Sequence, residues 1–242
     1  MVQQKTWKDI FGKFLEGKKI KDYSYKSLLI AAGHYSSKSG GFKVRDWLNE
    51  CKQIETKLNL KDNSNILEIG SGSGALLKYF YKKNKVYGID YSKELLSLSK
   101  KALPKGKFKI GEANHLTYNN SKFQAVLMQS CIQYFLNKKY FLKVISESKR
   151  TLSKNGKLFI GEIVDKDCYI DFLIYRKKNI GYSNFKKLYH GKKNSKLKFF
   201  SLSRDEIIKF LKKDFKNFEI YNCVKRGNEK EYYRFNLVCT KK

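Results

Sequence analysis

Asn65-Ile-Leu-Glu-Ile-Gly-Ser-Gly-Ser-Gly-Ala-Leu-Leu77 reads as a short apolar strand that passes through Glu68 into alternating glycines and then a helix. Gly70, Gly72 and Gly74 lack the β-carbons that keep main chain away from a ligand, and Ser71 sits between the first two. The helix that follows turns free N–H groups and its positive dipole end toward the same place. Such a loop is a cradle for a nucleotide-like ligand. Twenty residues after Gly70, Lys85-Val-Tyr-Gly-Ile-Asp90 reads as a second strand ending in a carboxylate, where it can accept the hydroxyls of a ribose.

Two cofactor classes fit this signal. Read as Gly70, Gly72 and Ala75, the loop satisfies the dinucleotide pattern GxGxxA, which admits a nicotinamide or flavin enzyme. Read as Glu68-x-Gly70-x-Gly72-x-Gly74, it resembles the first motif of the class I S-adenosylmethionine (SAM) methyltransferases. An acid directly before the loop suits the ammonium of a methionine moiety and repels a pyrophosphate, which favours SAM.

The resemblance continues through residue 165. Asp90 matches the family's ribose-binding acid and is followed by Tyr91 and a helix from Lys93 to Ala102. Lys107 to Ala113 is similar to the third strand and the turn that holds the adenine, with Glu112 where Asp is commoner and Ala113 beside it. Phe123 to Gln129 resembles the fourth strand, with Gln124 in place of the usual Asp, and Arg150 to Ile163 is similar to a helix-turn-strand of the family. The resemblance implies an α/β, Rossmann-like, seven-stranded and mostly parallel sheet with helices on both faces and a terminal antiparallel hairpin. The implied cofactor is SAM, with S-adenosylhomocysteine as product. The implied cofactor-binding residues are Glu68, Gly70, Ser71, Gly72, Gly74, Asp90, Tyr91, Glu112, Ala113 and Gln129.

At 242 residues, with Pro104 as the only proline and no linker-like stretch, the chain reads as one domain. Its parts are an N-terminal helical lid (1–60), a SAM-binding core (61–165), an aromatic-rich substrate cap (166–202) and a final helix with closing strands (203–242). The lid is read as two helices, with stripes at Trp7 to Leu15 and at Val44 to Leu58, joined by a loop or lid segment from Leu28 to Gly41. The cap carries eight aromatics among many lysines and overhangs the cofactor edge. The closing strands are expected at Phe218–Val224 and Tyr232–Thr240, around a polar turn.

Nothing near the N-terminus reads as a signal core, and no apolar run is long enough for a bilayer, so a cytoplasmic protein without membrane insertion is expected. Five dispersed cysteines and three histidines give neither a disulfide framework nor a metal site. The net charge of +30 points either to lysine-rich genome bias or to an anionic partner. Only six of the 52 basic residues are arginine, the better forked phosphate ligand.

The chain lacks the Pro-Cys nucleophile of cytosine C5 methylation and the Asn/Asp-Pro-Pro turn of amino methylation of adenine or glutamine. Simple methyl displacement to oxygen or nitrogen remains, with a general base where the acceptor begins protonated. The base candidates are His190, His34 and Asp165, while Tyr134, Tyr175 and Tyr189 are candidates for acceptor contact. A short, weakly specific likeness around Met128–Phe135 and Ile163–Asp165 is to bacterial small-molecule methyltransferases of surface-polysaccharide pathways. The resulting expectation is a small, anionic acceptor such as a sugar or phosphorylated metabolite. RNA methylation and a non-catalytic scaffold are the alternatives.

Overall fold

The computed structural model describes residues 15, 20, 22–34, 42–180, 199–224 and 233–242. Its elements in chain order are α1 (Tyr25–Ala31), α2 (Val44–Leu58), β1 (Asn65–Ile69), α3 (Ala75–Phe80), β2 (Lys85–Asp90), α4 (Lys93–Ala102), β3 (Lys107–Ile110) and β4 (Phe123–Gln129). A 3₁₀ turn (Ile132–Tyr134) leads to α5 (Lys138–Thr151), β5 (Leu152–Val164), α6 (Tyr169–Ile180), α7 (Arg204–Leu211), β6 (Phe215–Asn222) and β7 (Arg234–Lys241).

The strands form one sheet in the order β3-β2-β1-β4-β5-β7-β6. β1 to β5 run parallel, and β7 inserts antiparallel between β5 and β6. The order reverses at β1, with β2 on one side and β4 on the other, and that reversal opens the crevice in which α/β sheets bind ligands.

Strand alternation divides the core into two layers. Leu67, Ile69, Val126, Met128 and Ile160 pack with Phe141, Val144, Ile145 and Ile207 of α5 and α7. Ile66, Val86, Ala125, Leu127 and Phe159 pack on the other face with Leu28, Trp47, Ile54, Leu76 and Leu96 of α1 to α4. Gln124, where the family pattern has Asp, joins the two central strands, its Oε1 accepting from Asn65 N at 2.8 Å.

The sequence reading needs correction at element boundaries. Leu28 to Ala31 is helical, closing a seven-residue helix that Ser24 caps by accepting from Ser27 N. So short a helix has less than two turns of periodicity to show. β5 runs from Leu152, directly after α5, and takes in the expected turn, and β6 starts at Phe215 rather than Phe218. Trp7 to Phe14 and the turn of the closing hairpin lie outside the described residues. No helix among the described residues is long and apolar enough to cross a membrane.

Candidate active site

Three adjacent strand ends bring polar side chains to one face. Glu68 stands opposite Gly88 of β2 and Leu127 of β4. Two residues further along those strands are Asp90 and Gln129, so by the two-residue period all three side chains rise on the α1–α4 face. The glycine loop arches over this row. Gly70, Gly72 and Gly74 have φ of 72, 50 and 76°, in the left-handed region that favours glycine. A Cβ on Gly70 would also lie 2.9 Å from Cys131 Cβ, so glycine there is required by both dihedral and space.

The row is buried and incompletely satisfied. Asp90 Oδ2 accepts from Gly72 N at 2.8 Å and Oδ1 from Ser92 N at 2.9 Å, which ties the second strand's acid to the loop. A carboxylate has about four lone-pair positions, so each oxygen can still accept a ribose hydroxyl. Glu68 is 4% exposed, and its Oε2 has no hydrogen-bond partner among the described residues. Burial and then the neighbouring Asp90 carboxylate push its pKa well above the ordinary value. The side-chain amide of Gln129 and the hydroxyl of Ser71 are likewise buried without partners among the described residues. Buried polar atoms normally have partners, so such a cluster under an open loop marks a ligand's place.

A second wall continues from β3. Tyr140 Oη donates to Glu112 Oε2 at 3.3 Å, and burial followed by that carboxylate raises the phenol to about 12. Tyr91 is half-buried, and its pKa is raised by burial and then by Asp90. Ala113 packs against the core beside them. The turn after β3 is held by Arg150, which donates to the carbonyls of Leu116 and Tyr118 at 2.7 Å each. Glu147 orients that guanidinium and accepts from Leu116 N at 2.8 Å.

Residues 67–160 match the family description "Methyltransferase domain". Over that span the chain is similar to methyltransferase domains. An uncharacterized protein of Methanocaldococcus jannaschii is 33% identical over 157 residues, covering 62% of this chain and 64% of that one. A demethylmenaquinone methyltransferase of Thermotoga maritima is 26% identical over 102 residues, 41% of this chain and 43% of the other. The chain thus spans between two fifths and two thirds of the length of these curated relatives. In fold, it superimposes on a SAM-dependent methyltransferase of Thermotoga maritima, described as a possible histamine N-methyltransferase. The TM-score is 0.61 at 19% identity, over 96% of this chain and 98% of that one.

The row above fits the methyltransferase cofactor. Glu68 offers an ammonium group a buried carboxyl whose Oε2 has no partner among the described residues, Asp90 offers acceptors for ribose, and the loop offers bare main chain. The nicotinamide alternative would place a diphosphate against the carboxylates of both Glu68 and Asp90, an electrostatically adverse arrangement.

Tyr134, expected from the sequence to contact an acceptor, meets Phe199 at 6.1 Å, and Tyr175 meets Tyr233 at 4.8 Å between ring centroids. Both belong to an aromatic cluster with Val164 and Phe172 beyond the end of β5. Asp165, next to Val164, is 4% exposed, with its carboxylate accepting from Arg204 Nε at 3.2 Å and Asp167 N at 3.1 Å. His34 stacks on Trp47, centroids 6.2 Å apart, away from that cluster. His190 and Tyr189 lie outside the described residues.

Sequence reasoning missed three participants. Gln133 follows Gln129 beyond β4, donates to Ser130 O at 3.0 Å and leaves Oε1 buried without a partner among the described residues. Cys131 packs against the place where a Gly70 side chain would stand, and burial raises its thiol pKa. Gly161 makes room for Gln129: a Cβ there would overlap the Gln129 Oε1 position at 1.8 Å. Only the glutamine-rich run after β4 could have signalled any of these.

Proposed function

We propose that the chain is a SAM-dependent methyltransferase that moves a methyl group to an oxygen or nitrogen of a small, anionic acceptor, such as a sugar or phosphorylated metabolite. The observation that carries the reading is the buried Glu68 carboxyl beneath the bare Gly70–Gly74 loop, its Oε2 without a partner among the described residues, with Asp90 beside it. When bound, SAM supplies a methyl group made electrophilic by its sulfonium. The chain's own residues do the rest. Glu68 holds an ammonium, Asp90 holds ribose hydroxyls, and Glu112 with Tyr91 borders the adenine.

A small acceptor is supported by the aromatic cluster of Tyr134, Phe172, Tyr175, Phe199 and Tyr233, which is suited to enclosing a compact ligand and excluding water. Arg176, with its guanidinium 5.9 Å from the Phe199 ring, is a cation at that cluster's edge and supports an acidic group on the acceptor. A proton released from the acceptor passes to Asp165, His34 or His190. Single variants Asp165→Asn, His34→Ala and His190→Ala sort them, because loss of the base lowers kcat by about 10²- to 10⁴-fold at unchanged SAM affinity.

The test is methyl transfer from tritiated SAM into a pool of sugars and phosphorylated metabolites, run beside total RNA. Label in the small-molecule fraction is expected. Label confined to transcripts or ribosomal particles overturns the reading in favour of RNA methylation, and absence of SAM binding by calorimetry favours a scaffold.

A further inference from the structure

Glu68, Asp90 and Gln129 occupy the carboxyl ends of the parallel strands, while the amino ends carry a different arrangement. Tyr87, Tyr118 and Phe123 pack edge to face there, with centroids 6.0, 5.1 and 5.1 Å apart. Lys122, the residue before β4, puts its ammonium 4.6 Å from the Tyr87 centroid, 5.1 Å from Tyr118 and 5.6 Å from Phe123. Lys107 reaches the Tyr87 ring at 5.6 Å, and Lys109 reaches the Tyr118 ring at 4.7 Å. Ammoniums sharing a ring are therefore separated by no more than about 10 Å, roughly one Debye length.

Among the described residues, none of the three lysines forms an ion pair with a carboxylate. Lys109 donates only to Thr117, at 3.2 Å to its carbonyl and 3.4 Å to its hydroxyl. Their field is felt locally: the pKa of Lys122 is lowered by burial, then by Lys107 and Lys109. Ring faces hold the cations in place but cannot neutralise them.

The backbone that presents Lys122 is fixed. Arg150 bonds the Leu116 and Tyr118 carbonyls and Asn120 Oδ1, and Ser121 N donates to Arg150 O at 3.0 Å. Within this fixed segment, the hydroxyl of Tyr118, a residue only 6% exposed, has no partner among the described residues. Lys122 is thus presented from a fixed backbone, with Lys107 and Lys109 beside it on β3.

We propose that Lys107, Lys109 and Lys122 form a phosphate-binding site along the β3 edge of the sheet, beside the amino end of β4 and separate from the methyl-transfer cleft. Phosphate suits it better than carboxylate. Three separate ammoniums match a tetrahedral anion with oxygens in several directions, whereas among the described residues no unengaged guanidinium fork stands beside them to match a planar carboxylate. The Arg150 fork is already occupied by Glu147 and backbone carbonyls.

The test is calorimetric titration of the full chain with inorganic pyrophosphate at low salt, comparing Lys122→Gln with Lys143→Gln. The latter removes the same charge from exposed α5. Saturable binding is expected, weakened about tenfold by Lys122→Gln and less than twofold by Lys143→Gln, in line with loss of one charge-assisted contact. The double variant Lys107→Gln/Lys109→Gln, on exposed side chains, gives the same reading should Lys122→Gln fold poorly. A single-stranded RNA oligomer added as competitor identifies the source. Displacement of pyrophosphate assigns the phosphate to nucleic acid, and failure to displace it assigns the phosphate to a small molecule. Absence of saturable pyrophosphate binding, or equal weakening by Lys143→Gln, overturns the site and leaves only the diffuse attraction of a cationic protein.

Discussion

Two regions of the parallel strands gather side chains of opposite kind, neither group ion-paired among the described residues. At the carboxyl ends, Glu68 and Asp90 are buried carboxyls whose pKa values are raised by desolvation. At the amino ends, Lys122 is an ammonium whose pKa is lowered by burial and by Lys107 and Lys109. Each end keeps like charges together at a cost, and each is suited to a ligand of the other sign. The difference lies in depth. The acidic row is buried beneath a glycine loop and reads a ligand's shape, whereas the basic cluster lies over ring faces and reads charge.

The largest expected effect is at the loop. Gly70→Val puts a β-branched residue at φ 72° and a Cβ 2.9 Å from that of Cys131. The left-handed backbone alone costs roughly 1 to 2 kcal/mol, and the contact adds to it. SAM affinity should fall on the order of a hundredfold or more, with pyrophosphate binding unchanged. Loss of both ligands together would break the comparison, because the two ends would then be coupled through the sheet.

Asp90→Ala should weaken SAM binding by about 1 to 3 kcal/mol, since ribose hydroxyls and the Gly72 N–H lose their acceptor. Undiminished affinity in calorimetry would mean that the ribose is held elsewhere.

A smaller effect, about 1 kcal/mol across a unit of pH, is expected at Glu68. Its carboxyl without cofactor is raised well above 4.5 by burial and by Asp90. An ammonium beside it lowers that value, so cofactor binding releases a proton, and affinity rises with pH from 4.5 toward the raised pKa. In the free protein the sign is opposite: the raised pKa favours the folded state at low pH, and that contribution is lost as pH climbs through the same window. Calorimetry in buffers of different ionisation heat detects the proton, and Glu68→Gln should abolish its release. An unchanged proton count in that variant would place the ammonium elsewhere.

The cofactor half was legible because its signals are local. Gly70, Gly72 and Gly74 each declare a backbone conformation, and Glu68 and Asp90 follow at fixed spacings on consecutive strands. The other half depends on contacts distant in sequence. Glu162 has φ 61° at a bulge in β5, where its carboxylate pairs with Arg234 and its N–H meets Asn236 Oδ1 at 2.9 Å. Asn236 in turn donates to Glu50 of α2, 186 positions away. Nothing near Glu50 in the chain announces that it closes a network with β7. The lysine cluster was hidden differently. Nothing in the sequence singles out Lys107, Lys109 and Lys122 among 46 lysines; what groups them is a set of touching rings that come from Tyr87 on β2, Tyr118 in a loop and Phe123 on β4.

The smallest expected effect concerns the protein without any ligand. If the three ammoniums repel one another, removing one should stabilise the fold even though it removes cation–π contacts. Lys122 is half-buried at the surface, where screening still keeps the repulsion small, and Lys122→Gln should gain at most about 0.5 kcal/mol at low salt. The gain should vanish near 1 M salt, where the Debye length falls to about 3 Å. Added pyrophosphate should reverse the order, stabilising the wild type more than the variant, because only binding to the folded state raises its melting temperature. A Lys122→Gln protein less stable than wild type at low salt would show that the ring contacts outweigh the repulsion. The amino-end cluster would then be a structural feature, and the symmetry drawn between the two ends would fail.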